Sequence, residues 1–170
     1  MSELKRLSPS AIPAALAKAE RYRLLNEPEQ AESICEDVLA IEPSHAEATA
    51  MLILALTDQL GEGPHDRGRA LARAQALAAT VASEYQRAYF RGLIAERRAR
   101  ALVARGGAGS RAAAAEWLRE AMERFAEAEP LRPQEDESAI LRWNACARLL
   151  ERYPELAERP AGGTEPVTSE

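Results

Sequence analysis

Aromatic side chains make up only 5% of the chain, β-branched runs are missing, and no stretch of 18 apolar residues occurs. The first two shortages argue against strands, which draw on β-branched and aromatic residues. The third leaves nothing to cross a bilayer as a helix. The amino terminus also lacks the charged, apolar and small-residue order of an export signal. The expectation is a soluble, cytoplasmic, all-α protein with no membrane partner. Its 170 residues suffice for one domain with a real core.

Residues that usually carry chemistry are scarce. His45 and His65 each stand beside a turn without a Cys, Asp or Glu partner at ligand spacing, so no metal site is expected. Cys35 and Cys146 are far apart on apolar helix faces, which fits two reduced core thiols better than a disulfide or a nucleophile. No phosphate-loop, dinucleotide, zinc-protease or nucleophile-elbow pattern occurs. The "RGGAGS" run at 105–110 follows a helix, not a strand, and reads as a turn. The chain is expected to be non-catalytic and to need no cofactor.

Charge is unevenly spread. From Arg67 to Arg111 ten arginines face only Glu84 and Glu96, a net of +8, while the remainder carries 12 basic residues against 25 acidic ones. Such a segment either contacts an anionic partner or pairs internally with acidic neighbours, and the second is the commoner outcome. The "ERRAR" run at 96–100 has Tyr89 as its one nearby stacking candidate and has acidic flanks, so nucleic acid is disfavoured.

What the sequence does have is helical periodicity. Ser8, Pro9 and Ser10 signal a helix start, with Pro13 tolerated in the first turn. Ile12, Ala15, Leu16, Ala19, Tyr22 and Leu25 then form a stripe ending at Asn26. Pro28 opens a second helix that stops before Pro43, and a third covers about 46–60 with Thr49, Leu52, Ile53 and Leu56 inward. Gly61–Gly68 is a loop, a fourth helix runs to about Thr80, and a fifth spans 84–104. Ser110 is the expected cap of a sixth helix ending near Glu129. Asp136 or Ser138 caps a seventh that ends before Pro154. Residues 1–10 form a lead-in, 11–156 the folded domain, and the polar, Pro/Gly-rich 157–170 a disordered tail.

One pattern recurs. Ala31, Cys35, Val38 and Pro43 have the same offsets as Ala121, Phe125, Ala128 and Pro133, and Ala70, Ala74 and Leu77 make a partial copy. Ala31 to Ala70 is 39 residues and Ala70 to Ala121 is 51. These fit a 34-residue unit if the Gly61–Gly68 loop and the long fifth helix are insertions. The chain thereby resembles the tetratricopeptide repeat, whose signature is small residues at helix crossings, a bulky residue one turn on and a stopping proline. Gly92 in "AYFRGLIAE" and the Asn26 turn fall where that repeat favours small or turn residues. Lys18, Arg91 and Arg142 depart from it, standing where the family usually buries leucine.

The resemblance implies a helical-repeat solenoid of about three helix pairs with a seventh, capping helix. It implies a non-catalytic adaptor that takes a peptide or helix of a protein partner in a concave groove. Groove positions are Leu16, Glu20 and Arg23 on the first helix, Leu54 and Thr57 on the third, Tyr89, Leu93, Glu96 and Arg97 on the fifth, and Ile140, Asn144 and Arg148 on the seventh. Tyr89 is the favoured anchor. The family's carboxylate clamp is disfavoured, because Leu16, Glu20, Ala50 and Leu54 occupy its places. The alternative is a structural subunit, a homo-oligomer joined through the alanine-rich fifth and sixth helices. A regulator contacting an anionic partner through Arg67–Arg111 ranks lower.

Overall fold

A computed structural model describes residues 3–61 and 66–157. Seven α-helices account for most of them: α1 (Ile12–Leu24), α2 (Pro28–Ile41), α3 (Ala46–Asp58), α4 (Asp66–Thr80), α5 (Glu84–Arg105), α6 (Ala108–Ala128) and α7 (Ser138–Arg152). Among the described residues there is no strand, and no helix is long and apolar enough to cross a membrane. Short 3₁₀ turns at Pro9–Ala11, Gln59–Gly61, Glu129–Leu131 and Pro154–Leu156 join or end the helices.

Local chemistry explains most boundaries. Pro13 and Pro28 stand in first turns, where their missing N–H is not needed. Asn26, at φ 60°, turns the chain between α1 and α2. His45 has a plain structural role: its Nδ1 accepts the Ala48 N–H at 3.2 Å and caps α3. Asp136 Oδ1 accepts the Ser138 N–H at 2.9 Å at the head of α7. Ser110 does not cap α6. Gly106 and Gly107, at φ 73° and 85°, make a left-handed turn so tight that α6 starts at Ala108, with Ser110 already inside its first turn.

Each helix packs on the next in the chain, and α1, α3, α5 and α7 also touch one another in that order. Three-residue turns fold α2 back on α1 and α5 back on α4. The recurring stripe is the seam of this packing: Ala31, Cys35, Val38, Ala70, Ala74, Ala121, Phe125 and Ala128 are all buried, while Leu77 is half-buried. Burying one such valine or phenylalanine is worth roughly 1.5–3 kcal/mol. Alanine here lets backbones approach closely rather than filling volume.

The first stripe ends sooner than its spacing suggests. Ile12, Leu16 and Ala19 are buried, yet Leu25 is 67% exposed, because α1 closes at Leu24 and the next residue leaves the helical track. Leu7 of the lead-in packs against the core. Residues 62–65 of the expected Gly61–Gly68 loop, His65 among them, and residues 158–170 of the expected tail lie outside the described residues, whereas residues 66–68 of that loop already belong to α4.

Candidate partner-binding face

The side chains that α1, α3, α5 and α7 turn toward one another are not simply apolar. Two carboxylates sit among them, each gripped by two guanidinium groups. Asp58, the last residue of α3, takes Arg23 Nε from α1 on Oδ2 at 2.8 Å and Arg97 Nη1 from α5 on Oδ1 at 3.5 Å. Glu96 of α5 takes Arg100 Nε on Oε1 at 2.8 Å and Arg142 Nη1 from α7 on Oε2 at 3.5 Å. Ion pairs thus run from α1 to α3, α3 to α5 and α5 to α7.

Burial separates the two carboxylates. Asp58 is partly wet, whereas Glu96 is 0% exposed, and an unpaired carboxylate there would carry a heavy desolvation penalty. Burial alone would depress the Arg142 guanidinium, but the Glu96 carboxylate, followed by Tyr89, holds it above its ordinary value. Cys146 lies in the same region. Burial, then the negative Glu96, push its thiol up to about 12 against the opposing pull of Arg100 and Arg142.

The expected groove positions divide sharply. Glu20 and Arg148 are exposed; Arg23, Leu54, Tyr89, Arg97, Ile140 and Asn144 are half-buried. Leu16, Thr57, Leu93 and Glu96 are buried and present nothing to a partner, which corrects their placement on the surface. Leu16 and Leu93 fill the core, the Thr57 hydroxyl donates to the Leu54 carbonyl at 2.8 Å, and Glu96 serves its two arginines.

Tyr89 also changes role. Its ring lies 5.6 Å from Phe90, 5.9 Å from Phe125 and 6.1 Å from Tyr85, and it touches both core clusters. It is a packing residue with one wet edge rather than a free anchor. Nearby, burial and then the Asp136 carboxylate raise the Tyr85 hydroxyl above its ordinary range.

Asp58, Arg100 and Arg142 belong to this face although the groove positions omit them. Asp58 stands one residue past Thr57, and its signal is the 39-residue step to Arg97, which equals Ala31 to Ala70. Arg142, one of the family departures, reaches back to Glu96 rather than outward, while Lys18 and Arg91 are exposed.

Several arginines of the basic segment pair internally as well. Arg73 of α4 bridges Glu32 and Glu36 of α2, and Gln59 Nε2 donates to the other Glu32 oxygen at 2.6 Å. Among the described residues no group of His, Cys, Asp and Glu is arranged to hold a metal. No family model, curated protein or solved structure matches the chain.

Proposed function

We propose that the chain is a tetratricopeptide-like repeat scaffold, working without catalysis in the cytoplasm. It docks a peptide or helix of a partner protein along the face built by α1, α3, α5 and α7. One observation carries this reading: alternate helices touch in chain order, the arrangement by which stacked helix pairs build one continuous surface. The crossing alanines and the Gly92–Phe125 contact between α5 and α6 support the same register.

On this reading Glu20, Leu54, Arg97, Ile140, Asn144 and Arg148 are the accessible contacts, and the paired carboxylates below them hold the face in shape. Arginine and isoleucine beside polar neighbours suit an amphipathic segment better than a small ligand. Binding of a co-purified partner to Glu20→Arg, Asn144→Ala and Arg148→Glu variants tests it. Each should weaken binding about tenfold or more with stability shifted by less than about 0.5 kcal/mol. Arg119→Ala on the exposed side of α6 is the control. Unchanged binding in all three groove variants removes the groove.

A further inference from the structure

The opposite side of α5 carries a second pattern that the groove does not use. Arg91, Arg98 and Arg105 recur at seven-residue steps, so they share one face of the helix, about 10.5 Å apart along its axis. Arg91 locates that face: with Gln75 of α4 and Trp117 and Arg124 of α6 it lines a cleft of about 260 Å³. The stripe therefore looks out between α4 and α6. At 22 residues α5 is longer than the 15-residue α4, and along its stripe Arg91 and Arg105 are exposed while Arg98 is half-buried.

These arginines differ from those of the other face. Arg23, Arg97, Arg100 and Arg142 all have carboxylate partners there, as Arg73 of α4 does on α2. None of the ion pairs among the described residues includes Arg91, Arg98 or Arg105. The Arg98 Nε is buried and has no hydrogen-bond partner, as is also true of the Nε atoms of Arg97 and Arg124. Within the hairpin itself no acidic residue occurs between Glu96 and Glu116.

The matching charges are on α6 of the same chain, where Glu120 borders the Arg91 cleft. Glu116, Glu120, Glu123 and Glu127 are all exposed and lie on one stripe opposite the buried Leu118, Ala121 and Phe125. Glu127 is engaged by Arg124 at 2.8 Å, whereas Glu116 and Glu123 join none of the ion pairs among the described residues. Glu116 and Glu123 are seven residues apart, the same step as Arg98 and Arg105. Methyl-sized Ala104 and Ala112 at the same end allow close approach of a further helix.

We infer that a second copy of this chain docks here, laying Glu116 and Glu123 of its α6 against Arg98 and Arg105. Each chain carries both stripes, so a two-fold pair forms the contact twice and closes as a dimer. The equal step satisfies either helix direction. A phosphate backbone fits less well, because Glu120 projects into the same cleft as Arg91. This contact leaves the α1, α3, α5 and α7 face open and stands whether or not the groove reading holds.

Light scattering on the full chain tests it. At low salt the protein should weigh twice its 18.6 kDa chain mass, and it should fall to one chain at about 1 M salt, where the screening length is ~3 Å. Arg98→Glu with Arg105→Glu should raise the dissociation constant at least about a hundredfold, because like charges then meet. Glu116→Arg with Glu123→Arg should do the same. Mixing the two variants should restore the dimer, since each then supplies the charge the other lost; this rescue also guards against misfolding of either alone. A monomeric wild type at low salt overturns the inference, as does a dimer indifferent to both swaps. A monomer whose basic stripe takes another acidic protein overturns it too.

Discussion

The ring of Phe125 on α6 closes directly onto Gly92 of α5: a β-carbon on Gly92 would stand 2.8 Å from two of its ring carbons. Phe125 is only 1% exposed. Glycine is needed here for approach, not for backbone freedom. The contact joins two positions 33 residues apart that the repeat pattern had marked separately.

Gly92→Ala should therefore destabilise the protein by about 1–3 kcal/mol through overpacking. Phe125→Leu should also destabilise it alone. The double variant should cost less than the two single costs combined, because the smaller side chain relieves the clash. Denaturant melts of the four proteins check this; strict additivity would place the two residues out of contact.

At Glu96 the direction of truncation matters. Removing Arg100 and Arg142 together leaves a buried carboxylate without compensation, and should cost on the order of 3–5 kcal/mol. Glu96→Gln frees two arginines that already reach water, at 42% and 33% side-chain exposure, and should cost distinctly less. Equal losses would mean that Glu96 is not enclosed.

Tyr89→Ala should lower stability by about 2 kcal/mol or more, since its ring touches Tyr85, Phe90 and Phe125. A melt matching wild type would return Tyr89 to the accessible surface.

The thiols give a pH-dependent expectation. Burial pushes Cys35 and Cys146 up to about 12 from an ordinary value of 9.0. Native protein should resist alkylation near pH 8 and react only on unfolding. The folded state holds these protons more tightly than the unfolded one. Their stabilising effect is complete below pH 9 and is lost as pH rises toward 12. Stability measured across that window should fall; a flat profile, or fast labelling of either thiol at pH 8, contradicts the burial.

Helical periodicity made the seam legible in the sequence. Ala31, Cys35 and Val38 recur as Ala121, Phe125 and Ala128 because a helix that must bury one face repeats every three or four residues, and Pro43 and Pro133 follow the helices that carry them. The bounds of α2 and α5 follow from local chemistry alone. The charged network was not legible, since Glu96 lies on a helix face that reads as solvated and its partner Arg142 is 46 residues away. Leu16 and Leu93 were misplaced for a related reason. Groove and core positions lie a quarter turn apart, and only the neighbouring helices decide which is covered. Ser110 lost its capping role to Gly106 and Gly107, whose left-handed turn starts the helix first.

Hydrogen exchange on the chain, alone and bound to a partner purified with it, tests the proposed function most directly. Docking along α1, α3, α5 and α7 should slow exchange in Ile12–Leu24, Ala46–Asp58, Glu84–Arg105 and Ser138–Arg152 and leave Pro28–Ile41 and Ala108–Ala128 as they were. Protection confined to α2, α4 and α6 would contradict the account.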